Sequence, residues 1–142
     1  MCSSDLVRKR EGDGASPTGV WVLGQAYFRP DRMMRPRTQL PLRALRLSDG
    51  WCDARGDRNY NRPVRHPYPA SAEHLWRPDG LYDLVVVLRY NERPRIKGRG
   101  SAIFLHCASA GTKPTEGCIA VSRRDLVRLL PRLSQKTTLR IP

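Results

Sequence analysis

Cys118 closes the stretch PTEGC and opens IAVSRRDLVRLL, so a glycine stands before it and an apolar, strand-like step and a helix follow. Most free cysteines are small buried hydrophobes. A chemical role needs a base close by, because only a few per cent of an ordinary thiol is ionised at neutral pH. His106 is the candidate, twelve residues upstream at the end of the apolar run AIFLH. A strand-end histidine and a loop-end cysteine can meet across adjacent strands when the loop between them folds back. Gly117 lets the backbone approach a substrate carbonyl closely, and amides at such a turn can form an oxyanion hole. The chemistry would be thiolate attack on a carbonyl. Against it stands the plainer reading, in which both residues pack.

The surrounding text supplies elements to hold the pair. KREGDGASPTGVWVL leads from a Gly and Asp loop into a strand near Gly19 to Gln25, with Val20 and Val22 in alternation. LYDLVVVLRYN reads as a central strand, apolar on both faces from Leu84 to Leu88. Ser101 to Cys107 follows as a second strand and Ile119 to Val121 as a short third. Cys107 then points away from His106, into the core. Ser122 and Asp125 form the Asp version of a capping box, and Leu126, Leu129, Leu130 and Leu133 line one helical face, with Pro131 ending or kinking the helix. KTTLRI reads as a last strand. Between Tyr27 and Pro78 the prolines of NRPVRHPYPAS argue against regular ladders and for an ordered, irregular loop. Loops of that length are typically binding walls or lids, or else disordered. Trp51, Tyr60, Tyr68 and Trp76 argue for packing, and Trp51, Tyr68 and Trp76 either wall a groove or are simply buried.

A chain of 142 residues suits one mainly β domain with one core. Its 26 Lys and Arg against 13 Asp and Glu give a formal charge of +13, which attracts something acidic. Nucleic acid is not the expected partner: no recognition motif accompanies the charge, and the arginines are spread from Arg8 to Arg140. No apolar run approaches the eighteen or so residues of a membrane span. Cys2, Cys52, Cys107 and Cys118 have no tight disulfide framework, and no Cys-x-x-Cys pair points to zinc. MCSSDL has the text of a fusion scar, since it can be written in codons that match the end of a common sequencing adapter. Met1 to Leu6 is therefore expected to be a non-native leader ahead of a single domain, residues 7–142, clipped at its N-terminus.

IFLHCASAGTKPTEGCIAVSRRDLVRLL resembles the catalytic signature of the L,D-transpeptidase (YkuD) family, in which a strand histidine precedes a Ser/Thr-His-Gly-Cys turn. His106 matches that histidine, Thr115 the Ser/Thr position, Gly117 the glycine and Cys118 the nucleophile. Ser16, Pro17 and Gly19 resemble the family's strand entry, and the long text from Asp49 to Leu88 resembles a branch with an insertion before the central strand. Glu116 stands where the family usually has a second histidine, and Ala120 where it usually has Asn or Arg. The resemblance implies a β-sandwich with a short helix after the nucleophile turn. It implies a thioester acyl-enzyme on Cys118 formed from peptidoglycan tetrapeptide stems, with His106 as base and then acid, and no cofactor or metal. An amine acceptor would make a cross-link, and water would make the protein an L,D-carboxypeptidase. Thr115, Glu116 and Arg123 are expected to bind or orient substrate; Glu116 either orients His106 or pairs with an arginine such as Arg123. The helix N-terminus with Arg123 and Arg124 is expected to bring the Cys118 thiol below its ordinary value of about 8.5. A monomer in the periplasm or cell wall is implied, with a cytoplasmic recycling carboxypeptidase as the alternative. A non-catalytic peptidoglycan-binding module is the rival reading.

Overall fold

The computed structural model describes residues 17–92, 96, 98–108 and 118–142. The expected leader Met1–Leu6 lies outside them, as do Ser16, Thr115, Glu116 and Gly117.

The chain is mainly β, built on the run LVVVL. Leu84–Leu88 (β6) is buried at all five positions, because both of its faces are covered, which is why its apolar residues do not alternate with polar ones. Gly19–Phe28 (β1) pairs antiparallel with β6, and between Leu23 and Ala26 the register slips by a bulge. A bulge turns a strand sharply. Beyond it, the first half of β1 pairs with Thr138–Ile141 (β9), the strand expected from KTTLRI, and the second half lies parallel to Leu42–Ala44 (β2). Val20 and Val22, the alternating apolar residues of this strand, are 57% and 38% exposed; Trp21 between them packs edge-on against Tyr90 at 5.0 Å.

On the other side of β6 runs Phe104–Ala108 (β7), three residues shorter at its start than expected, and then Ile119–Ser122 (β8). β7 is antiparallel to β6, whereas β8 lies parallel to β7. The Ser122 hydroxyl accepts from the Asp125 amide at 3.1 Å, capping the helix Arg123–Leu129 (α1) as the Ser-Arg-Arg-Asp text requires. A single 3-10 turn, Leu130–Arg132, carries Pro131, which has no N–H for an α-helical bond. Leu126, Leu130 and Leu133 are buried against the sheet, but Leu129 is 40% exposed. So short a helix lays one narrow stripe on the sheet, and Leu129 falls off its edge.

The largest correction lies between Tyr27 and Pro78. Asp49–Cys52 (β3), Pro63–Arg65 (β4) and Ala72–His74 (β5) form a three-stranded antiparallel sheet in the order β4-β3-β5. Pro63 is tolerated because it opens an edge strand, where a missing N–H breaks no inner ladder. The central sheet thus has two packed faces. Leu23, Val86, Leu105 and Cys107 meet Leu126, Leu130 and Leu133 on one. Tyr27, Val85, Val87 and Phe104 meet Trp51, Leu75 and Tyr82 on the other.

Asn61 pins the small sheet in place. Its Oδ1 accepts from Trp51 Nε1 at 3.0 Å and from the Ala102 amide at 3.2 Å. Its Nδ2 donates to the carbonyls of Tyr90 and Asn91, each at 2.9 Å. Asn61 itself has φ of 57°, a left-handed conformation that asparagine tolerates well.

Candidate active site

The parallel pairing of β7 with β8 joins the two residues singled out for chemistry. Leu105 is opposite Ile119 and His106 opposite Ala120, so Cys118 stands one strand across and one pleat back from His106, about 8 Å away at the Cα. The thiol lies against the β7 backbone: Cys118 Sγ donates to the Ala102 carbonyl at 3.1 Å, and the Phe104 amide donates to Sγ at 3.4 Å. That amide favours the thiolate once the proton leaves. Ala102 has φ of 54°, costly for a residue with a Cβ. The conformation is held from both sides, by Asn61 at its N–H and by the thiol at its carbonyl.

His106 is 2% exposed. Its Nδ1 lies 2.9 Å from the Cys107 carbonyl; a carbonyl can only accept, so Nδ1 carries the hydrogen and Nε2 keeps its lone pair. Burial, which disfavours the imidazolium, pulls the His106 pKa below the ordinary 6.5; the hydrogen bond to the Cys107 carbonyl opposes it, the Arg77 charge adds to it, and the Asp79 charge and the Leu81 carbonyl oppose it more weakly. The ring is therefore neutral and basic at Nε2 at neutral pH.

Tyr82 links the two. Its ring meets His106 edge-on at 5.3 Å and Phe104 at 5.5 Å, and Cys118 borders the same cluster. The Tyr82 hydroxyl donates to Glu73 Oε1 at 2.9 Å, and burial first, then the Glu73 charge, holds it far above the ordinary tyrosine range. The Arg77 guanidinium lies 5.2 Å from the Tyr82 ring centroid. None of Tyr82, Glu73, Arg77 or Asn61 stood out in the sequence, since each reaches the site only through sheet pairing and the folded-over insertion. Gly80, with φ of 83° just before Leu81-Tyr82, is the one local sign of a shaped turn there.

Of the other expected site residues, Thr115, Glu116 and Gly117 lie outside the described residues. Arg123 is described and faces elsewhere. It pairs with the buried Asp83 at 3.4 Å, donates to the Arg32 carbonyl at 2.8 Å, and its charge acts on Cys107, on the opposite face of the sheet from Cys118. It anchors the helix rather than supporting a thiolate at Cys118. Trp51 is buried against Phe104 at 5.2 Å, Trp76 lies under the Arg29 guanidinium at 3.8 Å, and Tyr68 bonds Asp57. The site aromatic is Tyr82 instead. Trp51 also borders a cavity of about 300 Å³ shared with Tyr27, Asn61 and Arg89.

Among the described residues Cys52, Cys107 and Cys118 form no disulfide. Burial pushes Cys107 up to about 11, and its thiol donates to the Leu84 carbonyl at 3.7 Å, so it stays a core residue. Cys52 is likewise raised by burial and faces Asp57. Among the described residues no three His, Cys, Asp or Glu side chains are grouped as metal ligands, and no helix is long and apolar enough to cross a membrane.

A family model, the L,D-transpeptidase catalytic domain, YkuD, matches residues 3–141. No curated protein and no solved structure matches the chain.

Proposed function

The chain belongs to the L,D-transpeptidase (YkuD) family, and from that premise we propose that it is a cysteine-dependent acyltransferase acting on peptidoglycan tetrapeptide stems. The observation that carries the reading is the tautomer of His106: a backbone carbonyl fixes hydrogen on Nδ1 and leaves Nε2 as the basic nitrogen, in a ring that meets Tyr82, whose cluster Cys118 also borders. Cys118 Sγ attacks the carbonyl between the L-centre and the terminal D-residue, and its proton passes to His106 Nε2. Collapse breaks the C–N bond, Nε2 returns the proton to the departing amine, and a thioester remains. An acceptor amine or water then attacks the thioester, giving its proton to Nε2 while Sγ leaves. General acid–base assistance of this kind contributes about 10²–10⁴-fold. In this reading the oxyanion role falls to Gly117, and substrate binding or orientation to Thr115 and Glu116, all three outside the described residues. The reading includes a monomer working in the periplasm or cell wall, where such stems are found.

The test is mass spectrometry of the protein incubated with a disaccharide tetrapeptide, wild type against Cys118→Ala. A transient adduct on wild type alone, with release of the terminal D-residue, supports the thioester. A cross-linked dimer then identifies a transpeptidase, and a free tripeptide stem an L,D-carboxypeptidase. No adduct and no turnover from folded protein would leave only a peptidoglycan-binding role.

A further inference from the structure

We infer that Arg77 is the residue that recognises the carboxylate of the leaving D-residue, a specificity determinant that rests on the acyl-transfer reading above. Carboxylate recognition calls for a cation fixed beside the acid–base group, because His106 protonates the leaving nitrogen and the carboxylate lies one carbon beyond it. Ala120, opposite His106 in the ladder, offers no polar group. Arg77 does.

The distances agree. Arg77 Cζ is 5.2 Å from the Tyr82 centroid and the His106 centroid 5.3 Å from the same ring, so the guanidinium is at most about 10.5 Å from the imidazole. A leaving group needs about 3 Å from Nε2 to its nitrogen, about 2.5 Å from that nitrogen to its carboxylate carbon, and about 3 Å from carboxylate oxygen to guanidinium. That reach, about 8.5 Å in all, lies within the limit. Arg77 is also the cation with the largest effect on His106 among the described residues.

The guanidinium is held ready. Asp79 engages it through Nε at 3.0 Å and Nη2 at 2.5 Å, and among the described residues Nη1 has no hydrogen-bond partner. The backbone beneath is clamped by two further arginines. Arg29, 4% exposed, donates through Nη1 to the Arg77 carbonyl at 2.6 Å while Asp31 holds its other edge. Arg32 donates to the Pro78 carbonyl at 3.1 Å and to Asp83 at 3.0 Å. Ordering these side chains before the ligand arrives lowers the entropy that binding must overcome. A mere surface ion pair between Arg77 and Asp79 would not require that clamp.

The experiment measures equilibrium binding to Cys118→Ala protein, so that it does not depend on turnover. The probes are a tetrapeptide stem with a free terminal carboxylate and the same stem as its C-terminal amide. The acid is expected to bind about 10–100-fold more tightly than the amide, the range of one charge-assisted contact. Adding Arg77→Gln should remove most of that preference without changing amide binding, and Arg77→Lys should retain part of it. Thermal melting of each variant confirms folding, which the partly exposed Arg77 side chain should not endanger. Equal binding of acid and amide, an equal loss of both in Arg77→Gln, or no binding of either would overturn the assignment. Acylation of wild type, measured in parallel, judges the thioester reading separately.

Discussion

Replacing Asn61 with alanine removes the acceptor of two buried donors at once, Trp51 Nε1–H and the Ala102 amide. Trp51 is 7% exposed and Ala102 5%; Ala102 lies outside the cavity that Trp51 and Asn61 border, so its amide is the donor least able to find water in place of Asn61. A buried donor left without a partner costs about 1–3 kcal/mol, and the pair therefore about 2–6 kcal/mol. The carbonyls of Tyr90 and Asn91 lose their donor too, but Tyr90 borders the cavity beside Arg89, where solvent can reach, and Asn91 is half-buried, so they add little. Alanine is also poorly suited to the left-handed backbone at this position. Against the 5–15 kcal/mol typical of a folded domain this is a large fraction. At about 4 °C per kcal/mol for a chain of this size, the midpoint should fall by about 8–24 °C. Differential scanning calorimetry on Asn61→Ala and Asn61→Asp reads the effect. Aspartate keeps both acceptor roles, so the aspartate variant should recover part of the loss. A fall of under 2 °C in the alanine variant would refute the claim that Asn61 pins the small sheet and the Ala102 turn. Below the midpoint, the alanine variant should also alkylate at Cys118 at an altered rate, because the Ala102 carbonyl that receives the thiol is no longer fixed.

Three further outcomes are expected. Since burial depresses the pKa of His106, the stability it contributes by staying neutral is whole above about pH 6.5 and is lost as pH falls from there toward its folded value; in denaturant titrations the stability of wild type should fall more steeply with falling pH than that of His106→Gln in that window, and the gap so opened should stay constant below it. Tyr82→Phe keeps the ring against His106 and Phe104 and loses only the bond to Glu73, so acylation should stay within about threefold of wild type, whereas Tyr82→Ala should slow it at least tenfold by freeing the imidazole; equal rates in the two would remove Tyr82 from the site. Asp83→Asn breaks a buried carboxylate's pairs with Arg32 and Arg123, whose outer edges reach solvent, so the cost should be about 2–3 kcal/mol, below the range for a fully buried pair, and urea denaturation would show it.

Local text located the elements well where a short-range rule governs them. LVVVL could only be a strand covered on both faces, Ser122 and Asp125 announce the start of α1, and Pro131 marks its end. That His106 and Cys118 stand near one another across adjacent strands was legible for a similar reason, since His106 lies on β7 and Cys118 just ahead of β8, at the ends of one connection. The small sheet was not. Its strands are three or four residues long, one begins with proline, and their order follows pairings between segments far apart in the chain. Such strands are stabilised by what they pack on, here Phe104 and Tyr82, and no local propensity announces that. Arg123 shows the same limit from the other side. Adjacency to Cys118 in sequence suggested a shared site, but the helix cap turns its side chain to Asp83, across the sheet. Arg77 and Glu73 arrive from the insertion, more than thirty residues before the nucleophile, and only the fold brings them to Tyr82.

The most direct test of the central claim, that His106 and Cys118 act as one chemical unit, is the rate of iodoacetamide alkylation at each cysteine as a function of pH, mapped by peptide mass spectrometry in wild type and His106→Gln. The account predicts that Cys118 reacts faster in the wild type than buried Cys52 and Cys107, which stay protected, and that His106→Gln slows Cys118 and changes the shape of its pH profile while leaving Cys52 and Cys107 unchanged. A Cys118 profile identical in the two proteins would contradict it.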